Sequence, residues 1–195
     1  GGGSTLKEKG LELSKLPDPI NLEARNSKGQ TPLMLATFED SNPEVVSALI
    51  KAGAELEASD KVGCTPLILA ATFCPDPEVV SVLLKAGAEV EARDKGDATP
   101  LMMAARNNSN PEVVSVLLKA GAELEARDKD GMTPLMFASR YNPNAEVVTV
   151  LLKAGANAKA KDNKGKTALD HAKGNENIYK TKAYWDLNDA FHNED

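Results

Sequence analysis

Along most of this chain the apolar positions fall in pairs set four residues apart. In residues 43–51, Val45, Val46, Leu49 and Ile50 lie at i, i+1, i+4 and i+5, one face of a helix. The neighbouring letters write both ends of that helix. Asn42 stands where an N-cap belongs, and Pro43 takes the first helical position, where a missing N–H costs nothing. Lys51 falls in the last turn, favourable to the helix dipole, and Gly53 supplies the left-handed residue that ends the helix. A shorter helix precedes it, with Thr31 as N-cap, Pro32 as its first residue and Leu33, Leu35 and Ala36 as its apolar positions. After the second helix come an extended Ala-Glu-Leu-Glu-Ala arm and a polar turn of the kind seen in Asp128-Lys129-Asp130-Gly131.

This helix–helix–arm–turn unit repeats. Thr31, Thr65, Thr99 and Thr133 each begin Thr-Pro-Leu and Thr167 begins Thr-Ala-Leu, every step being 34 residues. The thirteen letters of residues 77–89 return unchanged at 111–123, with near copies at 43–55 and 145–157. Self-similarity at this period predicts an all-α solenoid, in which a unit stacks on its neighbours because it cannot bury its own apolar face alone. The expectation is one elongated, curved domain whose inner helices are shorter than its outer ones.

Thr-Pro-Leu opening one helix, Val-Val-Ser-Val-Leu-Leu-Lys-Ala-Gly-Ala as the next, and an Asp-x-x-Gly turn together resemble the ankyrin repeat, over residues 6–191. The resemblance implies an ankyrin-repeat solenoid with β-hairpin-like turn fingers. It places a tail or linker at 1–5, an N-terminal half-unit cap at 6–25, and full units at 26–59, 60–93, 94–127 and 128–161. A C-terminal cap follows at 162–191 and a tail at 192–195. Three departures stand out. The family's period is one residue shorter, and the extra residue here falls between the two helices. The family's His after Thr-Pro-Leu is replaced by Met34, Ile68, Met102, Met136 and Asp170, which predicts loss of its Thr–His hydrogen bond. Asp97 stands where the turn ordinarily takes Gly, which predicts a locally altered turn in an intact fold.

The two ends read as caps. Residues 5–16 predict a lone outer helix with Leu6, Leu13 and Leu16 inward, Gly10 inside it costing about 1 kcal/mol. Near the other end Ala183, Tyr184, Leu187 and Phe191 recur at helical spacing beside Trp185, either a sealing helix or an aromatic docking site.

Composition narrows the function. The chain has 195 residues, 42% of them hydrophobic, and a formal net charge of −6, which argues against a general nucleic-acid binder. No run approaches the roughly 18 apolar residues of a membrane span, so no membrane insertion is expected. No basic-then-apolar leader opens the sequence, although a removed one would leave no trace, and the compartment stays open. Gly165-Lys166-Thr167 imitates the end of a phosphate loop but lacks its first glycine, a position held by Ala160. Cys64, Cys74, His171 and His192 have no metal-ligand spacing. Cys64 and Cys74 flank a helix that holds them too far apart for a disulfide. Asn107-Asn108-Ser109 is a formal glycosylation sequon of the kind that arises by accident. The reading is therefore of no catalytic, cofactor or metal site.

What varies among units is a surface. The resemblance implies that turn fingers and inner helices line a concave face that binds other proteins. Carried to this sequence, that face takes Arg25, Lys28, Met34 and Phe38 from the first unit and Lys61, Ile68 and Phe73 from the second. The third gives Arg93, Lys95, Met102 and Arg106, and the fourth Arg127, Lys129, Met136, Arg140 and Tyr141. Phe73 and Tyr141 either anchor a partner or fold inward to fill the enlarged loop. Arg25, Arg93, Arg127 and Lys161 share one column. They either pair with the Asp60, Asp94, Asp128 and Glu57, Glu91, Glu125 columns or form a basic stripe that selects a partner with an acidic patch. The expected role is that of a monomeric protein-binding module. The alternative is a structural spacer or artificial scaffold, against which stand irregularities such as Cys64, Cys74 and Asp97.

Overall fold

The computed structural model describes residues 21–193, so the helix expected over 5–16 lies outside the described residues. Among the described residues ten α-helices alternate between two rows. The inner row holds α1 (Pro32–Leu35), α3 (Pro66–Phe73), α5 (Pro100–Asn107), α7 (Pro134–Tyr141) and α9 (Ala168–Ala172). The outer row holds α2 (Pro43–Lys51), α4 (Pro77–Lys85), α6 (Pro111–Lys119), α8 (Ala145–Lys153) and α10 (Lys182–His192). In the regular units the inner helices have eight residues and the outer ones nine. Among the described residues there is no strand, and the fingers are closed by turn hydrogen bonds such as Asp60 N–H to the Cys64 carbonyl.

Each helix starts as its sequence dictates. Thr31, Thr65, Thr99, Thr133 and Thr167 cap the inner helices through their hydroxyls, and Asn42, Asp76, Asn110 and Asn144 cap the outer ones. Gly53, Gly87, Gly121 and Gly155 end the outer helices at φ between 93° and 102°. Where the family's His is missing, other acceptors serve. The Thr31 and Thr99 N–H groups point at the sulfurs of Met34 and Met102, 3.4 and 3.5 Å away, and Thr167 donates to the Asp170 carboxylate at 3.0 Å.

Inner helix stacks on inner helix and outer on outer, α3 on α5 on α7 on α9 and α2 on α4 on α6 on α8, with α10 closing against α8 and α9. Val46, Val80, Val114 and Val148 form a fully buried column, and Leu49, Leu83, Leu117 and Leu151 another. Burying such a side chain contributes about 1.5–3 kcal/mol, and the burial comes largely from the neighbouring unit.

The residue inserted between the helices has its own device. Asn108, Asn142 and Asn175 are buried where α5, α7 and α9 give way to the next segment. Asn142 donates both amide hydrogens to the unit before it, to the carbonyls of Ala105 at 2.8 Å and Asn108 at 3.0 Å, while its Oδ1 accepts the Asn144 N–H. Asn108 and Asn175 repeat the pattern one unit to either side. These bonds satisfy carbonyls that a helix C-terminus leaves unpaired. Cys74 and Asp40 hold the same column in the earlier units and offer no amide. There the first inner helix widens into a π-helical turn, Ala36–Asp40, and exits through Ser41 in the left-handed region.

The fingers are joined by backbone. Lys61, Lys95, Lys129 and Asn163 each donate an N–H to the preceding finger, at 3.1, 3.0, 3.4 and 3.0 Å. The long member follows Asp97. A Cβ on Gly63 would meet the Lys95 nitrogen at 2.8 Å, and Asp97 carries its Cβ in that column at φ 66°. The turn is otherwise unaltered, Asp97 N–H reaching the Asp94 carbonyl at 3.0 Å as Gly63 does that of Asp60. The altered turn expected from the sequence is thus corrected: aspartate adopts the glycine conformation, and the strain shows in the looser link to the next finger.

Two stability measurements check this account. Asn142→Ala strands the Ala105 and Asn108 carbonyls together with the Asn144 N–H, and should lower the unfolding free energy in urea by about 2–4 kcal/mol. Asp97→Gly should raise it by about 1 kcal/mol, by removing the left-handed penalty on a residue with a Cβ.

Candidate functional site

The structure sorts the candidate surface into three groups. Met34, Ile68, Met102 and Met136 are corrected first. Their side chains are buried to 1% exposure or less, because the third residue of each inner helix points back over its capping threonine into the packed interior. They are core, and their surface role is withdrawn.

The arginine column is engaged within the chain. Arg25 Nη1 donates to the carbonyls of Gly29 and Ser59, Arg93 to those of Asp97 and Arg127, and Arg127 to those of Gly131 and Lys161. Each guanidinium therefore fastens its own turn to the next finger. Of the two readings of this column, pairing with the Asp60, Asp94, Asp128 and Glu57, Glu91, Glu125 columns is not seen among the described residues; the carboxylate near it is that of Asp97, outside those columns, 3.5 Å from Arg93 Nη1. Asp60, Asp94 and Asp128 accept N–H groups of their own turns. Glu57, Glu91 and Glu125 accept the N–H of Glu89, Glu123 and Asn157. No charged partner was needed because carbonyls supply the acceptors.

The third group is free. Lys28, Lys61, Lys95 and Lys129 hold their side chains in solvent at the finger tips. Phe73 is 58% exposed and Val62 60%, so the Phe73 ring does not fold inward to fill the loop. The two line a groove of about 500 Å³ together with Lys28, Lys61, Leu69, Met103 and Arg106. Phe38 is half-buried, its ring centroid 5.9 Å from that of Phe73, which props the exposed ring from behind. Tyr141 is also outward, at 40% exposure, with the Arg106 and Arg140 guanidiniums 4.7 and 4.9 Å from its ring centroid.

Chemistry elsewhere is sparse. Cys64 and Cys74 are buried free thiols. Burial, then the carboxylates of Asp60 and Asp94, push the Cys64 thiol up to about 12, far from a reactive thiolate at neutral pH. Among the described residues no cluster of three His, Cys, Asp or Glu could hold a metal ion, and no helix is long and apolar enough to cross a membrane. His171 Nε2 lies 2.9 Å from Asp162 Oδ2, both side chains being buried. Burial alone would raise the Asp162 pKa, but hydrogen bonds from the Lys166 amide, His171 and the Lys164 amide outweigh it and hold the carboxyl below its usual range.

Paired helices stacked in two rows and linked finger to finger define a helical repeat protein with an extended surface on one side. Models of ankyrin repeats match residues 11–94 and 101–181, and a further ankyrin-repeat model matches 75–118. The chain belongs to the ankyrin repeat family. Ankyrin repeats are in general protein–protein interaction modules and are typically non-enzymatic. No curated protein matches the chain.

The buried pair yields a pH prediction. A carboxylate whose pKa falls on folding adds stability above its unfolded value and loses that contribution as pH drops through the lower folded one. Asp162→Asn keeps the turn acceptor and removes the charge, so it should cost about 1–2 kcal/mol at pH 6. Urea unfolding repeated at lower pH should show that gap closing once the pH falls below about 4.

Proposed function

We propose that this chain binds a partner protein on the face made by α3, α5, α7 and their fingers, with Phe73 as the apolar anchor. The observation that carries the reading is the exposure of Phe73 and Val62 side by side on the groove. Most large apolar side chains are buried; Tyr141, Tyr179 and Trp185 are exposed as well, but Phe73 and Val62 share this groove, where leaving them in water serves no packing purpose. Met103 and Leu69 floor the groove, and Phe38 holds the Phe73 ring in place.

Charge selects the partner. Lys28, Lys61 and Arg106 line the groove and make no side-chain hydrogen bond or ion pair among the described residues, Arg106 resting on the Tyr141 ring, whereas Asp60 and Asp94 are tied into their own turns. Arg140 extends the cationic rim past Tyr141. A partner segment with an apolar residue flanked by carboxylates fits this arrangement. Tyr141, with two guanidiniums over its ring, contributes a flat rigid surface at low conformational cost.

The test compares the parent with Phe73→Ala for a partner isolated by affinity capture. Truncating an apolar anchor costs about 2 kcal/mol or more, a loss of roughly thirtyfold in affinity, and an exposed site should leave the melting temperature unchanged. Unchanged affinity would remove Phe73 from the interface. The association rate should fall as salt rises, and a Lys61→Ala, Arg106→Ala double variant should flatten that dependence. Arg93 and Arg127 are unsuited to this arm, since truncating them unfastens the fingers.

A further inference from the structure

The finger-linking arginine recurs in this chain with one interruption. At three of four successive fingers a guanidinium donates both to the carbonyl four residues ahead and to the carbonyl 34 residues ahead: Arg25, Arg93 and Arg127. The finger between Arg25 and Arg93 has Ser59 in that column. Its hydroxyl is far too short to span the two acceptors. The equivalent carbonyls, those of Gly63 and Arg93, consequently have no protein donor among the described residues. The backbone around them is the same as elsewhere: Gly63 turns at φ 83°, close to Gly29 at 77° and Gly131 at 74°, and Lys95 N–H reaches the Val62 carbonyl at 3.0 Å. Two carbonyls thus remain in the geometry that receives a guanidinium, at a finger that supplies none.

A surface notch of about 530 Å³ opens at this point, lined among others by Ser59, Gly63, Arg93 and the carboxylates of Glu57, Glu89 and Glu91. It shares only Asp94 with the groove that contains Phe73. The Arg93 guanidinium is held away by its bonds to the Asp97 and Arg127 carbonyls.

We infer that the Ser59 notch is a binding site for an arginine side chain of a partner, whose guanidinium takes the place that Arg25, Arg93 and Arg127 take at the neighbouring fingers. The two hydrogens of a single Nη1 bridge the Gly63 and Arg93 carbonyls, as they do at the other three fingers, and the carboxylates of Glu57, Glu89 and Glu91 outnumber the cations of Arg93 and Lys95 at the notch. The ligand class is guanidinium rather than ammonium, because the planar guanidinium fixes the directions of the two Nη1 hydrogens, keeps further N–H groups for the neighbouring carboxylates and is more weakly hydrated than a compact ammonium. The site is independent of the Phe73 groove, so either stands if the other fails.

The experiment uses the full chain labelled with carbon-13 and nitrogen-15 and titrated with blocked arginine, N-acetyl-arginine-methylamide, into the millimolar range. The expected result is a saturable shift at the carbonyl carbons of Gly63 and Arg93. Blocked lysine should bind several-fold more weakly. Ser59→Arg, which supplies the guanidinium from within, should abolish the shift and raise the melting temperature by about 2 °C. Ser59→Ala should bind like the parent, since the hydroxyl is not the receptor. Three outcomes would overturn the assignment: shifts that grow without saturating, lysine binding as tightly as arginine, or Ser59→Arg still responding as the parent does. Failure of Ser59→Arg to fold would leave the lysine comparison and the Ser59→Ala titration to decide.

Discussion

An outer helix of nine residues with valine and leucine on one face has little to bury that face against inside its own unit. The short inner helix covers part of it, and the neighbouring unit covers the rest. This dependence of every unit on the next one organises the whole molecule. It explains why the Val46 and Leu49 columns are buried at every step, and why α10, at the C-terminal end, closes the stack with Ala183, Tyr184 and Leu187. It also moves the demanding polar chemistry to the boundaries between units, where helix ends and turns bring carbonyls together.

Three kinds of side chain meet that demand. Asparagines in the inter-helix loop donate to the unit before, arginines in the fingers donate to the finger after, and threonines cap the inner helices. The choice of residue follows from the number of hydrogens needed. An amide or a guanidinium can donate twice at once, whereas a carboxylate or a thiol in the same column cannot. Outer-helix caps show the same logic: Asn110 and Asn144 accept at the helix start and also donate to Pro75 and Ser109 of the preceding loop, while Asp76 only accepts.

Once these side chains are assigned, the surface that remains is smaller than one variable face. The arginine column drops out as framework and the methionine column as core. Phe73, Val62, Lys28, Lys61 and the Arg106–Tyr141–Arg140 stack are left with no role in holding the fold. The separation depends on hydrogen-bond partners, because exposure alone would have kept Arg25, Arg93 and Arg127 in the binding set.

The sequence by itself determined the period, because the same letters return every 34 residues, and the helices, their caps and the left-handed glycines, because each of these is written by residues within about four positions of one another. The buried outer stripe was legible for the same reason. Only the tertiary structure decided what the columns do. Asn142 reads as a loop former until the Ala105 and Asn108 carbonyls, 37 and 34 residues back, are seen in front of its amide. Arg93 reads as a charge until its guanidinium is found on a carbonyl 34 residues ahead. Met34 reads as variable surface until the finger folds over it. In each case the deciding partner belongs to the neighbouring unit, and a local pattern carries no information about how closely two units approach.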